Sequence, residues 1–322
     1  MGYGFQNRSG MTLAADRGSA AALAVLRQRF ISTAMRLRAI ASRHKAAIFA
    51  LAFAIFGTGL IFSLRDLRIG FADLHWRPLA ILIFILVPCT IAYSAVNMVL
   101  MARAAKVPMR FIDAVRVSAF AQVAEMLPIP GGAIVRTAAL KEAGAGLAQS
   151  AGLILGFSVL WVVCAAFAAG MAMWDQGWLP QMIAAFGLAA IFVIVAGLAR
   201  SFNWSIALGA LGLRVLGLAL VAIRLACSFA IIGTAVSFSG AVLFSFAGVL
   251  GSAASLAPGG LGISESLAAF LAGSVAVAPA AAFLAQALNR LVGLALHLLV
   301  ALGFVLRDRY CGPLEGQAGM QP

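Results

Sequence analysis

Long apolar stretches separated by short polar segments make up most of the chain from residue 46 onward. A helix of about 20 apolar residues crosses the ~30 Å hydrocarbon core of a bilayer. Six stretches are close to this length or longer, and we predict that each forms a membrane-spanning helix. The six predicted spans are residues 46–64, 78–100, 151–173, 181–199, 216–238 and 279–306.

Two further apolar stretches, residues 111–143 and 241–278, are each interrupted by a Pro-Gly-Gly sequence. The breaks are Pro130-Gly131-Gly132 and Pro258-Gly259-Gly260, and each leaves arms of roughly 10 to 17 residues, short for a full crossing. Proline removes a backbone donor and paired glycines relax the chain, so a helix ends there. We therefore predict two helical hairpins that enter the membrane and return to the same face.

The two halves of the membrane domain, residues 46–173 and 181–306, have the same order of elements: span, span, hairpin, span. Three crossings per half invert the second half relative to the first, so the hairpins enter from opposite faces and their tips approach near the midplane. Many transporters have this plan around a central site. The predicted fold is an all-α polytopic membrane protein with six spans and two broken re-entrant hairpins, arranged as an inverted repeat.

Composition and charge agree with a membrane protein. The chain is 63% hydrophobic and 10% charged, with a mean hydropathy of +1.04, which is too apolar for a soluble core. The predicted topology places 17 of the 23 Lys and Arg residues on one side, three on the other and three within the membrane. By the positive-inside rule both termini are cytoplasmic, and we expect an inner-membrane protein. The net charge of +13 therefore does not indicate a nucleic-acid partner.

The segments outside the membrane domain are short. Residues 1–45 form a basic cytoplasmic leader that precedes a retained first span, and residues 307–322 form a short cytoplasmic tail. Apolar residues recur in the leader at roughly helical spacing among arginines. Two interpretations remain open: an amphipathic helix on the anionic leaflet, or an unordered tail.

Arg136 lies near the start of the helix that follows the first break, where the helix dipole disfavours a cation. A partner is therefore expected. One candidate is a lipid headgroup phosphate, shared with the backbone N–H groups after Gly131 and Gly132. Another is a carboxylate, either Glu125 or Glu265. The alternative is an arginine that extends to the membrane interface.

Glu265 lies in the first turn of the helix that follows Gly262, where the dipole favours an anion. Two interpretations are open here as well. The carboxylate either caps its own helix, helped by Ser264 or Ser266, or pairs with an arginine in the membrane.

Arg290 lies near the middle of the last span, where a charge costs at least ~2.5–3.5 kcal/mol. Helical spacing places Gln286, Arg290 and His297 on one stripe, with Asn289 adjacent. The stripe should therefore face a partner or water rather than lipid. Arg224 in the fifth predicted span, with Ser228 one turn later, is a weaker case of the same kind.

Motifs for catalysis are missing from the sequence. It has no phosphate-binding glycine loop ending in Gly-Lys-Ser/Thr, no His-Glu-x-x-His and no nucleophile elbow. The four cysteines are far apart, which is typical of neither a disulfide framework nor a zinc site. No enzymatic activity, cofactor or metal is expected. The glycines of Gly152-Leu-Ile-Leu-Gly156 indicate a helix-packing face.

At these motifs the chain resembles the transmembrane, flippase-like domain of lysylphosphatidylglycerol synthases, in a stand-alone form whose relatives include a branch found with hopanoid biosynthesis. The resemblance covers residues 45–306. The matching elements are Leu127-Pro128, Gly132, Arg136 and Leu140, the run from Pro258 to Glu265, and Asn289-Arg290-Leu291. Where the family has Gly-Glu before the arginine, this chain has Gly132-Ala133, and Glu125 is the candidate substitute.

The resemblance implies movement of an anionic or isoprenoid-type lipid between leaflets, without lysyl transfer because the soluble aminoacyl-transferase domain is missing. Expected partners are membrane lipids and lipid-biosynthesis enzymes. The expected substrate-binding residues are those of the two breaks, Arg136, Gly262, Glu265 and Arg290, supported by Glu125, Arg224, Gln286 and Asn289. Two other functions stay open: a membrane-embedded transferase that uses Glu125 or Glu265, and a non-catalytic member of a lipid-synthesis complex.

Overall fold

The computed structural model describes residues 45–68, 70, 73–127, 130–253 and 260–311, and all regular structure within these ranges is helical. By its contacts the chain divides into residues 1–48, of which only the first turn of a helix is described, and a bundle formed by residues 49–322. The predicted leader and tail therefore lie almost wholly outside the described residues. The all-α class is confirmed.

Ten helices follow one another along the described ranges. They are α1 (Lys45–Leu67), α2 (Trp76–Ala104), α3 (Phe111–Ala124), α4 (Gly131–Glu142), α5 (Leu147–Ala172), α6 (Trp178–Ser201), α7 (Trp204–Ile231), α8 (Phe238–Ala253), α9 (Ile263–Leu271) and α10 (Pro279–Cys311). A π-helical turn, Leu82–Leu86, lies within α2 just before Pro88, which has no N–H to continue a regular ladder.

Six of these helices are long and apolar enough to cross a membrane: α1, α2, α5, α6, α7 and α10. Fewer than half of the residues in each span are buried, and large apolar side chains such as Phe84 and Phe192 are exposed on the outer surface. Water does not favour such a surface, whereas lipid does. The prediction of six spans in a multi-pass membrane protein is confirmed.

The fifth span differs from its predicted position. It was predicted at residues 216–238, but α7 begins at Trp204 and ends at Ile231. The predicted start lies just after Arg214, and the helix begins more than three turns before it. The helix instead begins after Asn203, whose side chain accepts a hydrogen bond from the N–H of Ile206 at 2.7 Å and caps the first turn.

Contacts show which helix ends lie together. At one end of the bundle, a shared cavity joins the end of α2 to the start of α5 and the α6–α7 connection, and Arg116 of α3 pairs with Asp308 of α10 at 2.6 Å. At the other end, the backbone N–H of His75 donates to the carbonyl of Ile231 at 2.9 Å. The side chain of Gln176 there donates to the carbonyl of Ser274 at 2.7 Å.

The two hairpins enter the bundle from opposite ends. The first, α3–α4, starts after α2 and leads into α5, so both of its outer ends lie at the end that contains Arg116 and Asp308. The second, α8–α9, starts after Ile231 and returns to Ser274, so its outer ends lie at the opposite end. None of the four arms is longer than 16 residues, or about 24 Å at 1.5 Å per residue.

Packing between the halves is reciprocal. Helix α3 of the first hairpin packs against α10, and the corresponding helix α8 of the second hairpin packs against α5. Helices α2 and α7, which correspond to each other, pack together between them. An inverted repeat with a two-fold axis in the membrane plane produces this pattern, and the contacts support the predicted plan.

Candidate functional site: charged groups inside the bundle

The tip of the first hairpin contains one ion pair. Arg136 on α4 lies 3.2 Å from Glu125, which follows α3, and the side chain of Gln122 donates to the same carboxylate at 2.8 Å. Close packing of the arms sets this geometry: a Cβ on Gly132 would lie 2.6 Å from Cγ and Oε1 of Glu125. The pair is partly open, with 25% of the Arg136 side chain and 31% of the Glu125 side chain exposed.

The second hairpin contributes a buried pair. Glu265 on α9 is fully buried, and its carboxylate lies 3.0 Å from Nε of Arg290 on α10. The other carboxylate oxygen accepts from the N–H of Gly262 at 2.8 Å and from the hydroxyl of Ser264 at 3.0 Å. Arg290 also donates to the hydroxyl of Ser264. Glu265 therefore both caps its own helix and pairs with an arginine of the last span.

The two ion pairs show which of the partners considered from the sequence Arg136 and Glu265 have. Arg136 pairs with Glu125 rather than Glu265, and Glu265 pairs with Arg290. The pattern Pro130-Gly131-Gly132 does begin α4. Of the second break, Gly260 and Gly262 are described, both with positive φ values, +72° and +81°, whereas Pro258 and Gly259 lie outside the described residues. Positive φ favours glycine at these two positions.

The polar stripe of α10 faces the bundle interior as predicted. Gln286 and His297 are buried, and Oε1 of Gln286, Oδ1 of Asn289 and Nε2 of His297 have no hydrogen-bond partner among the described residues. Nδ1 of His297 donates to the carbonyl of Gly293 at 2.7 Å. Such groups inside a membrane protein indicate internal water or a ligand.

Arg224 is buried in the second half of α7. Its guanidinium donates to the hydroxyl of Thr90 at 3.2 Å and to the carbonyl of Asn289 at 3.1 Å, while Nε has no hydrogen-bond partner in the described part of the chain. Gly293 makes room for it, because a Cβ at that position would lie 2.7 Å from the guanidinium. Among the described residues no carboxylate forms a salt bridge with Arg224.

Arg214 is a functional candidate that sequence reasoning missed. It is 5% exposed and donates to the hydroxyl of Tyr93 at 3.2 Å and to Oδ1 of Asn97 at 3.1 Å, and within the described ranges its Nε has no hydrogen-bond partner. The guanidinium carbon lies 5.5 Å from the ring centres of Phe157 and Trp161. The available signal was the apolar run on both sides of Arg214, which extends the fifth span toward Trp204.

The charged groups are close enough to influence one another. Glu125 lies within electrostatic reach of Arg290 and His297, and Arg136 lies within reach of Arg214. Four arginines and two glutamates make up the two ion pairs and the two buried arginines described above: Arg136, Arg214, Arg224, Arg290, Glu125 and Glu265. We call this set the interior charge cluster.

The interior charge cluster has two more cations than carboxylates. Its two ion pairs are each balanced, which leaves Arg214 and Arg224 as charges that only neutral groups contact within the described chain. A buried cation without a counter-ion is unfavourable in a medium of low dielectric constant. An anion in the interior would balance it.

Two comparisons with known proteins gave no match: the chain matches no protein-family model, and none of the curated proteins resembles it significantly.

Proposed function

We propose that this protein moves an anionic or isoprenoid-type lipid between the leaflets of the membrane. One observation carries the proposal: the interior charge cluster holds two buried arginines, Arg214 and Arg224, that have no carboxylate partner among the described residues. A phosphate-bearing headgroup supplies the missing negative charge, and arginine binds phosphate through charge-assisted hydrogen bonds. The two hairpins that enter from opposite ends support a central site of the transporter kind.

The likeness to the flippase-like domain of lysylphosphatidylglycerol synthases supports the same proposal. That family has Gly-Glu ahead of the arginine of the first motif, where this chain has Gly132-Ala133. In the structure Glu125 supplies a carboxylate to Arg136 from the preceding arm at 3.2 Å. The acid is therefore present at the tip although its position along the chain differs.

Headgroup exchange in proteoliposomes tests the proposal. Purified protein is reconstituted with fluorescent phosphatidylglycerol or phosphatidylcholine, and the fraction accessible to an external quencher is followed over time. We expect faster exchange of the anionic lipid than in empty liposomes. No exchange above empty liposomes for either lipid or for a polyprenyl phosphate contradicts the proposal.

Replacing Arg224 by Gln separates a ligand role from a structural role. A hydrogen bond to a charged group contributes about 1.5–3 kcal/mol, so exchange should fall about tenfold or more. The apparent melting temperature of the lipid-free protein should stay the same or rise, because an unbalanced buried charge has been removed. Arg77→Gln, which makes the same charge change at an exposed site, is the control. A lower melting temperature with unchanged exchange would assign Arg224 a structural role only.

A further inference from the structure

Helices α5 and α6 form an antiparallel pair that is tightly packed at one end. Near their connection, a Cβ on Gly170 would lie 2.7 Å from the carbonyl oxygen of Pro180 and the backbone nitrogen of Ala184. A Cβ on Gly187 would lie 3.0 Å from Phe167. The two backbones are therefore nearly in contact at this end.

At the other end the same two helices diverge. A Cβ added to Gly152 or Gly197 would meet nothing within 4 Å, and one on Gly156 would make only ordinary contact, 3.7 Å from Leu198. The glycines of the 152–156 motif do not form the helix-packing face that their spacing predicts. They line an open groove of about 390 Å³ between α5 and α6, together with Leu153, Ile194 and Leu198.

A polar cavity of about 280 Å³ continues this groove at the end of the bundle. The two cavities share Gln149, Ser201 and Phe202, so they are contiguous. Arg103 and Lys106 from the end of α2 line the polar part, together with Asn203, and no carboxylate is among the residues that line either part. The combined site, the α5–α6 groove, is apolar along the helices and basic where four helices begin or end.

Lys106 has a backbone conformation that glycine usually adopts. Its φ is +60°, and the bond from the N–H of Val107 to the carbonyl of Ala102, 3.0 Å, closes the last turn of α2 in the Schellman pattern. The left-handed conformation is costly for a residue with a side chain. A glycine here would relieve that cost but would remove a lysine side chain from the residues that line the polar cavity.

We propose that the α5–α6 groove binds an anionic phospholipid of the surrounding membrane, with an acyl chain along Gly152 and Gly197 and the headgroup phosphate at Arg103 and Lys106. Basic pockets between membrane helices attract anionic headgroups, and apolar burial holds the chain. The positive-inside rule places this end of the bundle at the cytoplasmic leaflet, which is the anionic one. The site is separate from the interior charge cluster and does not depend on lipid translocation.

Native mass spectrometry of the delipidated protein in detergent, titrated with dioleoyl phosphatidylglycerol or dioleoyl phosphatidylcholine, measures this binding directly. Gly152→Leu and Gly197→Leu fill the groove in space that is open, so the fold should persist. We expect either variant to bind both lipids more weakly, by about tenfold. Gly212→Leu is the matched control, because Gly212 on α7 also has nothing within 4 Å and does not line the groove.

The double variant Arg103→Gln with Lys106→Gln tests the headgroup separately. Its phosphatidylglycerol affinity should fall about tenfold or more, while its phosphatidylcholine affinity changes less than twofold. The proposal is overturned if both glycine variants retain phosphatidylglycerol affinity within twofold of the unmodified protein. Equal loss for both lipids in the double variant would also overturn it, since the basic residues would then not select an anionic headgroup.

Discussion

Each hairpin contributes one glutamate to an arginine pair, but the two pairs lie in very different surroundings. Glu125 and Arg136 belong to the same hairpin, and about a quarter to a third of each side chain is exposed. Glu265 and Arg290 join the second hairpin to the last span, with the carboxylate fully buried and 13% of the arginine side chain exposed. The inverted repeat therefore contains one partly exposed ion pair, the open pair, and one buried ion pair, the closed pair.

Because the two pairs differ in exposure, we expect them to have different roles. An exposed ion pair contributes little to stability because water and salt screen it, so a ligand can replace one partner at small cost. A buried pair is different, since removing one partner leaves the other charge without compensation. We infer that the Glu125–Arg136 pair is the one that opens for an anionic headgroup, while the Glu265–Arg290 pair holds the second hairpin against α10.

The largest effect is expected for Glu265→Gln. Arg290 would then remain buried without the carboxylate 3.0 Å away, and breaking such a pair costs about 3–5 kcal/mol. The expected result is a large drop in the apparent melting temperature in detergent, measured by the fluorescence of the native tryptophans.

The double variant Glu265→Gln with Arg290→Gln is the control for that experiment, because it removes both charges together. It should melt well above Glu265→Gln alone, since no unpaired charge is left. If the loss of stability in the double variant equals the sum of the losses in the two single variants, the two side chains are not coupled and the closed-pair interpretation is wrong.

A medium effect is expected from one glycine substitution in each hairpin, and Gly251→Ala should cost more stability than Gly132→Ala. A Cβ on Gly251 would lie 2.8 Å from the backbone Cα and N of Ser264, so α9 itself must move, at a cost of about 1–3 kcal/mol. In Gly132→Ala the nearest atoms belong to the flexible side chain of Glu125, which can turn away.

Thermal denaturation of Gly251→Ala and Gly132→Ala, compared with Gly212→Ala, measures this difference. Gly212 lies in a helix with open space around it, so alanine there should be neutral or slightly stabilising. An equal loss for the two hairpin variants would mean that the first hairpin is packed as rigidly as the second.

The spans and both hairpins could be predicted because membrane thickness and proline chemistry act locally along the chain. The buried stripe of Gln286 and His297 followed from helical spacing alone. The assignment of arginines to glutamates could not follow, because it depends on how each helix is rotated against a neighbour that is distant in sequence. Gly132, for example, leaves room for the Glu125 side chain, and this matters only because α4 packs closely on α3.

Arg214 shows a second limit of prediction from sequence, because it is a buried charge that the predicted span does not include. The predicted fifth span, residues 216–238, leaves Arg214 out, whereas the structure buries it beside Phe157 and Trp161 and its guanidinium donates to the hydroxyl of Tyr93. Aromatic faces and a phenol are neutral partners that hydropathy does not count. A charge of this kind can be recognised from sequence only when the apolar run continues on both sides of it.

The smallest effect on stability is expected for Glu125→Gln. The pair is partly exposed, so its loss should cost about 0–1 kcal/mol, and the apparent melting temperature should fall by no more than about 2–4 °C. On the proposed function, Glu125 and a headgroup phosphate compete for Arg136, so lipid binding should respond in the opposite direction. The phosphatidylglycerol concentration that gives half-maximal exchange should therefore decrease in Glu125→Gln, whereas Arg136→Gln should increase it. A melting temperature as low as that of Glu265→Gln would show that the first pair is structural too, and the contrast between the hairpins would then disappear.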